Sequence, residues 1–363
     1  MKELERCVAT ITALALTAFA AGCIAWTTGP KGNLQSVGLP GVPVWTAKEP
    51  SPEAPLASNE SAEDELTRAD TGSLPWLDEL NYWRQAAGLK AVADNLQLSD
   101  GSAEHAHYLL ENARTSGNSS IIAAGMGMGA AQHSESPGSV AYSDQGAEAA
   151  FGGRHVYGVV QTADIAWGQN NQKADVDSLL VVPFHRLSLL APWAEVAGYG
   201  ESGKSPDRVA AMALRGRQGR DANLVVRFPP EGSKMPFAIM PGSEWPNPLT
   251  ACPGYTLPVG LPITLQLATP ANLGPYSISD QTQGRELTAC AFDAQTYENP
   301  DATQEADARR ALAGAKAIVV IPKYPLKPGH RYKVAIQAGG EYEWSFEVTG
   351  TADNPAVQNT AAQ

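Results

Sequence analysis

The stretch RYKVAIQAGGEYEWSFEV, residues 331–348, alternates apolar and polar positions on either side of a glycine pair. Tyr332, Val334, Ile336 and Ala338 fall on one face of an extended strand, and Tyr342, Trp344, Phe346 and Val348 on one face of the next. Gly339-Gly340 between them is a hairpin signal, because two-residue turns of this kind need φ > 0. The same period recurs upstream, where Ile263, Leu265 and Leu267 alternate with Thr264 and Gln266. Short alternating strands after Pro229-Pro230 predict an all-β, immunoglobulin-like sandwich over residues 229–350, with Trp344 and Phe346 in its core. The remainder, residues 351–363, is a polar tail.

Before the proline pair the pattern is mixed. Pro75 suits a first helical turn, Asp78 and Glu79 complement its dipole, and Trp76, Leu80, Trp83 and Ala87 recur at helical spacing up to Gly88. A second helix is expected after Asp100-Gly101-Ser102, and Gly125–Ala131 is expected to be a mobile loop. A short helix is expected at Asp144–Phe151, and another within Ala174–Leu190, interrupted near Pro183. Arg208–Leu214 and Asn223–Phe228 are expected to pair across the polar turn Arg215–Ala222. The class is therefore α+β, with residues 73–228 as a first domain.

Composition narrows the function. In 363 residues, 18% are charged and the net charge is −12, a balance that excludes nucleic acid as a main partner. At 43% hydrophobic, the chain can bury a sizeable core. One long apolar run occupies Cys7 to Cys23, after Lys2 and Arg6, and ends in small residues, so residues 1–23 read as a secretory signal peptide. The alternative is an uncleaved anchor helix. Its ending, Ala20-Ala21-Gly22-Cys23, resembles the bacterial lipobox, which implies lipidation at Cys23 and a membrane-anchored envelope lipoprotein; ordinary cleavage would give a secreted one. Residues 24–72, rich in proline and then acidic, read as a disordered tether. Cys252 and Cys290 remain, an even pair that an oxidising compartment would join as one disulfide, the alternative being two buried thiols.

Five of the six histidines, His105, His107, His133, His155 and His185, fall within the first domain. Around them runs an ordered series of short motifs: Leu80-Asn81-Tyr82-Trp83-Arg84, His133-Ser134-Glu135, Tyr157-Gly158, Asp164-Ile165-Ala166, Phe184-His185-Arg186 and Gly198-Tyr199-Gly200. Their order and spacing resemble the CAP superfamily of cysteine-rich secretory, antigen-five and pathogenesis-related proteins, most closely its bacterial exported branch. The resemblance covers residues 74–228, under half the chain. It implies an α-β-α sandwich with an open cleft, where paired histidines and acids take up a divalent metal such as zinc in many members. His133 matches the first cleft histidine, Asp164 falls where many members have the Glu of a Gly-Glu-Asn motif, and His185 matches the Ser-x-x-His-Arg motif with Val182 in place of Ser. The strand His-Tyr-Thr-Gln of eukaryotic members is missing.

The resemblance thus nominates His133, Asp164 and His185 as metal ligands, with Glu135 as base, since zinc accepts imidazole nitrogen and carboxylate oxygen. The alternative is a hydrogen-bonded His/carboxylate cluster that fixes the cleft. Glu148 and His105 are further cleft candidates, Arg154 and Arg186 are expected to pair with carboxylates, and Arg215, Arg217 and Arg220 to form a solvated turn. No Gly-x-Ser-x-Gly, His-Glu-x-x-His, phosphate-binding glycine loop or Cys-x-x-Cys is present. Binding of a lipid, peptide or wall fragment is therefore expected ahead of catalysis. A metal-assisted hydrolase, or an adhesion protein working through its β-sandwich, is the alternative.

Overall fold

The computed structural model describes Trp26–Thr28, Leu34–Ser36, residues 73–151, 154–156 and 158–350. The expected signal peptide with Cys23, most of the expected 24–72 tether, residues 152–153, Tyr157, the expected 351–363 tail and the side chains of Arg154 and His155 lie outside the described residues. Trp26–Thr28 (β1) and Leu34–Ser36 (β2) pair antiparallel. Residues 73–350 fall in one compact unit.

Helix α1 spans Pro75–Ala86, with Pro at its start and Asp78 in its first turn, and buries Trp76, Leu80 and Trp83 as the spacing predicts. Ala93–Asp94 (β3) leads to helix α2, Leu96–Thr115, which the side chain of Asn95 caps by accepting the Leu98 N–H. The helix thus begins before the Asp100-Gly101-Ser102 triplet expected to precede it. Gly101 belongs in its interior because a Cβ there would stand 2.8 Å from the Gln145 carbonyl oxygen. Its bare backbone lets a later helix lie close, at the modest cost of a helical glycine.

The segment expected to be a mobile loop is ordered: helix α3 covers Ile121–Gly127 and a 3₁₀ turn covers Gly129–His133. Gly125 lies where a Cβ would run into the Trp167 ring, so this glycine marks close packing instead of mobility. Helix α4 is Asp144–Ala150, followed by strands β4 (Arg154–Val156) and β5 (Val159–Trp167). Helices α5 (Gln172–Leu180) and α6 (Pro183–Leu189) then precede strands β6 (Ala194–Ser202) and β7 (Val209–Arg217).

These strands form one sheet in the order β3-β6-β7-β5-β4. Strand periodicity sends alternate side chains to opposite faces. Ile165, Trp167, Val209 and Ala211 pack with Ala106, Leu109 and Leu110 of α2. Ala166, Ala210, Met212 and Leu214 pack instead with Trp76, Leu80, Val176 and Leu179. Gly198 and Gly200 on β6 leave room for the backbone of α2 at Leu98–Ala103, which a Cβ at either position would strike.

The C-terminal half departs from expectation in two ways. Strand β8 (Val226–Phe228) does not pair with β7. It pairs with Thr264–Gln266 in a sheet that belongs wholly to the later sequence. Val226 and Phe228 are buried in the core that the two halves share. Nor is the half all-β. Strands β9 (Lys234–Met235), β10 (Ile239–Met240), β11 (Val259–Gly260), β12 (Ile263–Gln266), β13 (Tyr276–Asp280), β14 (Arg285–Glu286) and β15 (Ala289–Phe292) come first. Helix α7, Ala302–Ala315, follows; Asp301 caps it, and Ala308 and Leu312 form its buried stripe. Strands β16 (Ala317–Pro322), β17 (Arg331–Gln337) and β18 (Glu341–Val348) complete the half. They make sheets of order β15-β16-β12-β8 and β14-β13-β17-β18-β9, with β10 and β11 as a separate pair.

The β17–β18 hairpin forms, pairing Tyr332 with Phe346 and Val334 with Trp344, one residue out of the register that a two-residue turn at Gly339-Gly340 would set. Its turn is longer than the glycine pair suggests, because Gln337 pairs with Glu341 and Ala338 joins Gly339 and Gly340 in the loop. Cys252 and Cys290 meet at disulfide distance, with Cα atoms 5.8 Å apart.

One hydrophobic core runs from Trp76 and Trp83 through Phe228 and Phe237 to Trp344 and Phe346, across the expected 228/229 boundary. The Trp83 ring lies 5.9 Å from that of Phe228 and 5.5 Å from that of Phe237. Arg186 was expected to meet a carboxylate. Instead, fully buried, it donates to the carbonyls of Leu180 and Pro262 and stacks 4.1 Å above the Phe228 ring, which ties α6 to the C-terminal half.

Candidate functional site

Strand β5 carries Thr162 and Asp164 on one face, and α6 presents His185 and Ser188, three residues apart on one helical face, across from them. Asp164 is 2% exposed. Its Oδ1 accepts from His185 Nδ1 at 2.9 Å and its Oδ2 from Ser188 Oγ at 2.5 Å, while Ser188 Oγ also lies 2.5 Å from Thr162 Oγ1. Burial alone would lower the His185 pKa; the Asp164 hydrogen bond and charge, with Glu244 adding, outweigh it and raise it.

The start of α6 has Pro183 at its first position and Val182 before it, so its own sequence offers no side-chain cap. Glu244 supplies one from the C-terminal half. Its Oε1 accepts the Phe184 N–H at 2.8 Å and its Oε2 the His185 N–H at 3.0 Å. Glu244 is 6% exposed, and burial pushes its carboxyl up to about 7 against the opposing effects of His185, the two amides and Arg186.

Beside His185 opens a cavity of about 470 Å³. Ile122 and Met126 of α3, Trp167 of β5, and Leu179, Val181 and Val182 give it an apolar wall, and Pro241–Trp245 closes it from the C-terminal half. His133, at the end of the 3₁₀ turn, lines it too; burial and then the charge of His185 push its imidazole down to about 4. Trp245 lies against Gly129, where a Cβ would come within 3.1 Å of its ring. The segment 241–245 therefore touches both walls, through Glu244 on α6 and Trp245 on the turn. The indole Nε1 of Trp245 is buried without a hydrogen-bond partner.

The expected cleft set is divided between two places. His133, His185 and Asp164 come together at the cavity. His105 and Glu135 form a sealed pair that does not line it: His105 Nδ1 meets Glu135 Oε1 at 3.0 Å and His105 Nε2 meets the Gln132 carbonyl at 2.7 Å. Glu135 Oε2 accepts the Ser143 N–H at 3.0 Å, and Gln132 Oε1 accepts the Trp167 indole N–H at 2.8 Å. This pair fixes the turn that carries His133. Glu148 is exposed, meets Arg215 at 3.4 Å and does not line the cavity.

As arranged, the nominated metal ligands do not fit a three-ligand zinc site. Asp164 turns its oxygens to His185 Nδ1 and Ser188 Oγ, so as arranged it orients the His185 ring and does not stand as a third ligand beside two imidazoles. Among the described residues, no three His, Cys, Asp or Glu side chains group so as to hold a metal ion. Ser188, Glu244 and Trp245 were not singled out from the sequence. Ser188 sits one helical turn after His185, a spacing that could have revealed it; nothing local links Glu244 to a helix sixty residues earlier.

No protein-family model matches the chain, and no curated protein matches it in sequence.

Proposed function

We propose that this chain is an exported cell-envelope protein, lipid-anchored through Cys23, and that its cavity binds a small molecule with a hydrophobic body. Its first part would be a CAP-like domain and its second an immunoglobulin-like sandwich carrying an inserted helix. In support, helices lie over both faces of the five-stranded sheet, and the C-terminal strands build two further sheets. The leader-like segment with its lipobox-like ending supports export.

The observation that carries the binding reading is the cavity itself, largely apolar, within the ordinary range of ~300–1,000 Å³, with polar groups such as His133, His185 and Glu244 in its lining. The part played by Pro241–Trp245 favours this over adhesion through the sandwich alone, because removing residues 230–350 would remove one wall of the site. Glu135, the base nominated for a hydrolase, is engaged by His105 and Ser143 and does not line the cavity, so the reading with that base loses its support.

The test is a titration of the full-length protein with Nile red, a neutral solvatochromic dye. Saturable one-to-one binding is expected, weakened by at least about tenfold in Ile122→Trp, which fills the cavity, with the melting temperature held near that of the parent. Absence of saturable binding, or equal binding by the filled variant, would overturn the proposal.

A further inference from the structure

The ionisable groups that line this cavity bear on which ligand it takes; the inference rests on the reading of the cavity as a ligand site. Among its described lining residues there is no Lys or Arg. The charged groups on the wall are Glu244 and His185, and His185 is already held by Asp164 through Nδ1. Arg186, near Glu244 but fully buried, does not line the cavity and directs its guanidinium to Leu180, Pro262 and the Phe228 ring. A carboxylate or phosphate head would thus meet the Glu244 carboxylate, with the imidazole of His185, already paired with Asp164, as the one cationic group on the described lining.

Two indoles, Trp167 and Trp245, line the same cavity. Indole faces attract cations, and a carboxylate beside aromatic rings is the usual chemistry of an ammonium site. We infer that the cavity takes an apolar organic cation, an amine on a hydrophobic body, with its head against Glu244 and the two indoles. Each Glu244 oxygen accepts one backbone N–H and keeps a further lone pair for a donor. The neutral His133 adds a second acceptor or donor without adding positive charge.

The experiment is calorimetric titration of the full-length protein with octylamine, octanol and octanoate, at about pH 8, where the amine is charged and a raised carboxyl is ionised. The three share a tail and differ only in head charge. Octylamine is expected to bind at least about tenfold more tightly than octanoate, with octanol between them. Glu244→Gln should remove that ranking, and Trp245→Leu should weaken octylamine more than octanol. Because Glu244 also caps α6, the ranking in the parent protein stands as an independent test. Octanoate binding as tightly as octylamine would overturn the charge assignment and leave the cavity a ligand site. Failure of all three to bind, or binding unaffected by Ile122→Trp, would overturn both.

Discussion

Two buried histidine–carboxylate pairs stand in the same half of the molecule and do different things. His105–Glu135 is sealed: both ring nitrogens meet acceptor oxygens, and the second carboxylate oxygen takes a backbone amide. His185–Asp164 is sealed only from behind, where Asp164 spends its oxygens on His185 Nδ1 and Ser188, while the imidazole is part of the cavity wall. The first pair has its hydrogen bonds directed inward and stabilises a turn. The second orients a ring toward space that a ligand can enter. A histidine and an acid in proximity therefore do not define a site until the second ring nitrogen and the second carboxylate oxygen are accounted for.

The largest effect should come from breaking the sealed pair. His105→Leu leaves Glu135 buried without its partner, and urea unfolding should show a loss of about 3–5 kcal/mol. Unchanged stability would make the sealed pair no more structural than the open one. A smaller cost, about 1–3 kcal/mol by the same measurement, is expected for Gly146→Ala, whose Cβ would intrude on the Glu135 carboxyl while keeping both partners.

Breaking the open pair should show in titration. In Asp164→Asn the His185 ring should titrate at lower pH than in the parent, followed by NMR of the imidazole protons, because the Asp164 charge is gone while burial remains and only Glu244 still opposes it. A raised histidine pKa contributes stability below its unfolded value and loses it as pH rises through the folded value. The stability deficit of Asp164→Asn should accordingly be largest in acid and shrink at higher pH.

His133 runs the other way. With a folded value of about 4, below the ordinary ~6.5, it favours the folded state above that range and loses this contribution as pH falls through it. The melting temperature of His133→Asn should therefore gain on the parent between about pH 6.5 and 4 and match its trend above. A constant offset across pH would contradict the depressed imidazole.

Much of this architecture is legible in the sequence. The period-two hairpin of residues 331–348 and the helical spacing of Trp76, Leu80 and Trp83 appear as read. Glycine misled twice, at Gly101 and Gly125, because close packing against Ala149 and the Trp167 ring uses the same residue as a loop does. Helix α7 was missed because its apolar stripe is narrow, with Ala308 and Leu312 its buried positions. His133, Asp164 and His185 were nominated together and do meet, whereas Glu135 was nominated by adjacency to His133 and its carboxylate turns away to His105. Glu244 and Trp245 could not be read, since a wall borrowed from a distant segment exists only once the chain is folded.

The most direct test of the division between the two pairs is to follow all histidine rings by NMR while octylamine, or octanol if it binds more tightly, is added to the full-length protein. The account predicts that the His133 and His185 resonances move with ligand, whereas His105 and the exposed His107 stay in place. Movement of His105 to the same extent, or saturable binding that leaves His133 and His185 unmoved, would contradict it.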